Sequence, residues 1–188
     1  MMCDARFERR MAGIGDDVAE GDAVVEETLG ALNEARDQGL TKSIGLSNFP
    51  SKEFRLAQSL SKARLLTDQV EHHPYLGVDR LVATAAELGS SITAWSPLAQ
   101  GKIADDATIS EIAAAHGKTN GQITLRWLIH NRIIAIPRTS KESRARENFD
   151  IFDFALTDEE MQRMDALDRG ERLGDWLDPA FEWDKADA

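Results

Sequence analysis

From Val24 onward the apolar residues alternate at a steady pace between helical spacing and short strand-like runs. Few folds tolerate that rhythm. It is the signature of repeated βα units around a parallel sheet, so the expected class is α/β. Four such units can be traced. A helix over 25–37, with Val25, Leu29 and Leu32 on one face and Gly39 as its C-terminal stop, leads into a strand over 43–46. Pro50 and Ser51 open the next helix, which carries Phe54, Leu56 and Leu60. The second strand is expected over 67–71, with a helix from Asp79 as N-cap to the stop at Gly89. A third strand over 91–96 is broken by Pro97, and helices follow near 108–116 and 121–131, the latter burying Ile123, Trp127 and Leu128. The fourth strand spans 133–137 and is followed by a helix over 140–149. The run Thr157-Asp158-Glu159-Glu160 reads as a capping box that starts a last helix. Residues 1–23 show no periodicity beyond a turn at Gly15-Asp16-Asp17, and are expected as an irregular segment ahead of one domain over 24–188.

The hydrophobic share of 42% is enough for a packed core, and a formal net charge of −11 bears on partners. Nucleic acid and anionic membranes would be repelled at long range, which leaves a small molecule as the expected ligand. Scattered acids such as Asp16, Asp17, Asp105 and Asp106 suit a strongly hydrated surface in a salty cytoplasm and equally an ordinary acidic protein. No apolar run approaches the roughly 20 residues of a membrane span, and Met1 to Arg10 is polar, so a cytoplasmic location is expected. The single cysteine, Cys3, has no neighbour to stabilise a thiolate.

Ligand chemistry in parallel sheets gathers at the C-terminal ends of the strands. KSIGLSNF, Lys42 to Phe49, puts Ser47 and Asn48 there, a hydroxyl and an amide able to hold a polar group from two directions. Gln69 and Glu71 end the second strand and are candidates for the same mouth. AWSPLAQG, Ala94 to Gly101, ends the third strand with an indole that offers a flat face to a heteroaromatic ring, followed by a loop whose N–H groups suit phosphate. The segment from Ile136 to Asp150 brings Arg138, Thr139 and Arg144 to a helix N-terminus, where cations, a hydroxyl and free N–H groups make an anion site. Each motif alone also reads as an ordinary turn, cap or core residue.

Together the motifs resemble a known family. Lys42 to Phe49, and Ile136-Pro-Arg-Thr with Arg144, Glu147 and Asn148 at the following spacing, look like two signatures of the aldo-keto reductases. DQVEHHPYL, Asp68 to Leu76, and AWSPL resemble the segments between them, in order, over about 24–167. The resemblance implies a partial (β/α)8 TIM barrel, roughly the last four βα units, and an NADPH-dependent oxidoreductase reducing an aldehyde or ketone. By the same resemblance Ser47, Asn48 and Gln69 would hold the nicotinamide carboxamide, and Trp95 would stack on its ring, where the family more commonly has Tyr. Ser96 and Leu98 would line the pyrophosphate path. Arg138, Thr139 and Arg144 would take the adenosine 2′-phosphate, with Glu147 and Asn148 near the adenine.

The family's acid is a Tyr tuned by Lys, Asp and His, all from earlier strands, and none of these four is found in this sequence. No catalytic residue and no metal ligand is therefore assigned. The only tyrosine, Tyr75, follows His73-Pro74 and matches a different position. His72 and His73 are adjacent and point to opposite faces of a strand, which does not suit a metal site. A half barrel also leaves sheet edges to be covered, by a second copy, by a separately encoded N-terminal half or by a rearranged N-terminal segment. Alternatively the chain is a truncated gene product or a catalytically inactive NADPH-binding remnant.

Overall fold

The computed structural model describes residues 2–4 and 18–174. The described residues fall into two compact units, the first within Met1–Val70 and Val78–Ile92, the second within Glu71–Gly77 and Thr93–Asp175. In chain order the elements begin with β1 (Met2–Asp4), α1 (Val18–Asp37), β2 (Ile44–Ser47), α2 (Ser51–Leu60), β3 (Leu65–Glu71), α3 (Asp79–Glu87) and β4 (Ser91–Trp95). A 3-10 segment (Ala99–Asp105), α4 (Ala107–His116), α5 (Asn120–His130), β5 (Ile134–Ala135), α6 (Glu142–Phe149) and α7 (Asp158–Asp165) follow. The strand order repeats the sequence order, and the registered pairs are parallel.

In the first unit β2 is buried along its whole length, as a strand covered on both faces must be. Gly45 explains how closely it lies against β3. A Cβ there would fall 2.7 Å from the backbone oxygen of Thr67, so any side chain would push the strands apart. Leu29 and Leu32 of α1, Phe54 and Ala57 of α2, and Leu81 of α3 are buried, each large apolar side chain stabilising by about 1.5–3 kcal/mol. Asn33 is buried among them without penalty because its amide is satisfied. It donates to Leu29 O (2.7 Å) and Ser61 Oγ (3.1 Å) and accepts from Ala63 N (2.8 Å), tying α1 to the turn before β3.

The second unit is built on capped helices. Asp106 caps α4 by accepting from Ile109 N at 3.0 Å, and Gly117 closes it in the left-handed region. Capping boxes start α5, through Thr119 and Gln122, and α7, through Thr157 and Glu160. Ile109, Ile112, Ile123, Leu128 and Met164 fill the interior, and Trp127 is buried with Nε1 donating to Asp165 Oδ1 at 2.7 Å.

Several local expectations change. Met2–Asp4 forms a strand paired parallel with β2, where only irregular chain was expected, and α1 begins at Val18 rather than Val25. The Gly15-Asp16-Asp17 turn lies outside the described residues. Asp79 is the first helical residue of α3 and not its cap. The cap position is Val78, whose side chain makes no capping bond. No helix among the described residues is long and apolar enough to cross a membrane.

Candidate active site

The first unit joins Ser47, Asn48 and Gln69 into one polar cluster. Ser47 and Gln69 are register partners at the ends of β2 and β3. The backbone oxygen of Gln69 accepts twice, from Ser47 Oγ at 3.1 Å and from Asn48 N at 3.0 Å, and Asn48 Nδ2 donates to Ser47 Oγ at 2.9 Å. Asn48 is buried and sits at φ 62°, a left-handed backbone that asparagine tolerates better than most residues. The chain turns there so that both polar side chains stay at the strand ends. Strain of this kind persists where the surroundings hold it, often at ligand sites.

In the second unit the end of β4 shows the same feature more strongly. Ser96, Ala99 and Gln100 have φ of 51°, 46° and 54°, on a loop that then winds into the 3-10 segment. Trp95 and Leu98 are half-buried, and the backbone oxygen of Trp95 accepts from His72 N at 3.4 Å. After β5, Thr139 Oγ1 accepts from Lys141 N at 3.1 Å and so shapes the turn into α6, whose cap residue Lys141 contributes no side-chain capping bond. Arg138 precedes that turn and Arg144 lies in the first turn of the helix. Both are exposed, and neither has an ion-pair partner among the described residues. Arg146, by contrast, is held by Glu142 at 2.6 Å.

Glu147 Oε1 accepts from Thr119 Oγ1 at 2.7 Å, which links α6 to the start of α5. Asn148 is half-buried beside it in sequence. Glu71 does not present its carboxylate to an open mouth. It is fully buried, with Oε1 accepting from Leu173 N (2.7 Å) and His73 Nε2 (3.2 Å) and Oε2 from Gly174 N (3.1 Å). Burial would push its pKa up, yet the hydrogen bonds from His73, Leu173 and Gly174, with the charge of Arg172, hold it below the ordinary carboxylate value.

Tyr75 and His72 are each held by neighbouring groups. The Tyr75 hydroxyl donates to Asp106 Oδ2 at 3.0 Å while the Arg169 guanidinium lies 3.9 Å from its ring centroid. Burial, then the Asp106 hydrogen bond and charge, push the phenol up to about 12. His72 is buried with Nδ1 2.7 Å from Leu76 O and its ring tilted against Trp127 at 5.2 Å. Burial lowers its pKa to about 4, so the imidazole is neutral around pH 7. Two residues that organise these groups, Asp106 and Thr119, escaped the sequence reading. Thr119-x-x-Gln122 carries the capping-box spacing and was the available signal, whereas nothing local marks Asp106 as the partner of Tyr75.

The model of the Aldo/keto reductase family matches residues 15–169. The glyoxal reductase of Bacillus subtilis is 36% identical over 79% of this chain and 54% of its own length. Aldo-keto reductase family 1 member A1-A of Danio rerio is 35% identical over 81% of this chain and 50% of its own. Among solved structures, the aldo-keto reductase of Bombyx mori in complex with NADP superposes with a TM-score of 0.73 at 34% identity, covering 81% of this chain and 54% of that one. The aldose reductase of Schistosoma japonicum does so with a TM-score of 0.75 at 34% identity, covering 79% and 48%. The chain thus spans about half the length of the relatives it matches. Its α/β fold with a parallel sheet is, as expected, part of a (β/α)8 barrel. With its motifs at the strand ends and the match running through both units, the chain belongs to the aldo/keto reductase family.

Proposed function

We propose that the chain is the NADPH-binding part of an oxidoreductase that reduces the carbonyl of a small aldehyde or ketone. The observation that carries this reading is the pair Arg138 and Arg144, exposed and without an ion-pair partner among the described residues, in a chain of net charge −11. Cations left unpaired in so acidic a protein suit a dianionic group, and the 2′-phosphate separates NADPH from NADH. Ser47 and Asn48 supply a hydroxyl and an amide held by each other and by the backbone oxygen of Gln69, and in this reading they and the Gln69 amide hold a carboxamide while Trp95 offers a flat apolar face to a nicotinamide ring. Ser96 and Leu98 line the pyrophosphate path. In this reading Thr139 assists the phosphate, and Glu147 and Asn148 lie near the adenine, Glu147 also accepting from Thr119 Oγ1. The cofactor, when bound, supplies hydride to a carbonyl carbon.

Among the described residues, Tyr75 and His72 offer no free group for the protonation half of the reaction in this reading. Tyr75 is committed to Asp106, and His72 is neutral and bonded to a backbone carbonyl. That favours a second reading, an NADPH-binding chain inactive by itself, with any acid supplied by other polypeptide. Ile134 and Ile136, 48% and 43% exposed at β5, are the apolar face that a second copy or an N-terminal half barrel would cover. Titration of NADPH and NADH into the wild-type chain and Arg144→Ala tests the cofactor assignment. Each charge-assisted contact to the 2′-phosphate is worth about 1.5–3 kcal/mol, so NADPH should bind tighter than NADH and Arg144→Ala, removing one contact, should weaken NADPH roughly ten- to a hundredfold while leaving NADH unchanged. Equal wild-type affinity for the two cofactors removes the assignment.

A further inference from the structure

After α7 the chain does not simply leave the second unit. The segment 168–174 runs back along the loop 71–77 and is stitched to it at successive positions. Arg169 N (3.4 Å) and Glu171 N (2.8 Å) both donate to the backbone oxygen of Tyr75. The Glu171 carboxylate pairs with Lys102 and Arg169, and the Arg169 guanidinium covers the Tyr75 ring. Gly77 permits the approach, because a Cβ there would fall 2.5 Å from Asp168 Oδ2. The stitching ends on Glu71, whose two carboxylate oxygens receive the successive N–H groups of Leu173 and Gly174, residues more than a hundred positions later. Consecutive backbone N–H groups closing on one anion form a nest, here filled by a side chain of the same molecule.

Glu71 is the last residue of β3, and the C-terminal ends of strands are where parallel βα sheets bind ligands. We infer that Glu71 is a positioning residue, a buried latch that holds the C-terminal segment at the ligand-binding end of its strand. A carboxylate suits this task better than any neutral group. It offers acceptors on both oxygens, so both amides are met at once, and His73 Nε2 with Arg172, 3.5 Å from Oε2, complete its surroundings. Glutamine keeps the size but replaces one acceptor by an NH2 that faces an N–H donor. The latch needs no bound cofactor, so it stands or falls separately from the NADPH assignment.

Residue-resolved amide exchange on the full chain, with and without Glu71→Gln, tests it. Leu173 and Gly174 should exchange slowly in the wild type. In Glu71→Gln they should speed up by roughly ten- to a hundredfold, the factor for losing one charge-assisted hydrogen bond, while α4 and α5 keep their protection. Trypsin should cut after Arg172 in the variant and spare that bond in the wild type. If the variant leaves Leu173 and Gly174 as slow as before, or loosens α4 and α5 equally, Glu71 is an ordinary core residue and the latch is rejected. Should Glu71→Gln fail to fold, Glu71→Asp, which keeps the charge but shortens the reach, takes its place: faster exchange confined to Leu173 and Gly174 upholds the latch, and unchanged rates there or equal loosening of α4 and α5 overturn it.

Discussion

Tyr75 is the only tyrosine in the chain, so its ionisation is read directly from tyrosinate absorbance without interference from another phenol. Its ring is 2% exposed and its hydroxyl donates to the Asp106 carboxylate, an arrangement that opposes a negative oxygen twice. The structure places the folded pKa at about 12 against an ordinary 10.0. At about 1.4 kcal/mol per unit, that difference sets an upper bound of roughly 3 kcal/mol on the preference for the neutral phenol, reduced by solvent screening at its part-buried hydroxyl. The sign follows from linkage. The contribution is fully present below pH 10 and is lost as pH rises through about 12, because the unfolded chain gives up its proton first. Tyr75→Phe removes the hydrogen bond and should cost about 1.5–3 kcal/mol, toward the lower end because Asp106 keeps its bond to Ile109 N. Spectrophotometric titration of the folded chain and urea unfolding of the variant measure the two quantities. A tyrosinate step at or below pH 10, or a variant as stable as the wild type, would refute the reasoning. So would carbonyl reduction that disappears in Tyr75→Phe, since a general acid works best with a pKa near the operating pH.

Trp95 should report cofactor binding by quenching or shifting its emission, while Trp127, buried and bonded to Asp165, should respond less. An unchanged cofactor-induced signal in Trp95→Phe would exclude stacking on the nicotinamide. His72 is held neutral by burial with a pKa near 4 against an ordinary 6.5, so it lends stability above pH 6.5 that falls away as pH drops toward 4. Urea midpoints of wild type and His72→Asn across that window check this, the variant having the flatter profile. Lastly, on the proposed reading in which the acid comes from other polypeptide, the isolated chain with NADPH should reduce aldehydes poorly, a missing acid costing about a hundredfold to ten-thousandfold. A purified-protein assay over an aldehyde panel decides, and robust turnover would overturn that reading.

Much of the architecture is legible because it rests on contacts a few residues apart. The capping box at Thr157 and Glu160, the left-handed glycines Gly39 and Gly89, and the apolar spacing of Leu29 and Leu32 are all written within one or two helical turns. Ser47 and Asn48 are recognisable because a parallel strand ending in short polar residues leaves them at the ligand end whatever surrounds it. Tertiary structure decided which distant groups met. Three residues at Met2–Asp4 carry no periodicity, and only an available edge on β2 makes them a strand. Glu71 looks like a mouth residue until Leu173 and Gly174 arrive from the far end of the chain, and the partner of Glu147 Oε1, Thr119 Oγ1, lies 28 positions away. A buried carboxylate takes whatever donors the packed chain delivers, because leaving it unpaired costs more than any local preference can offset.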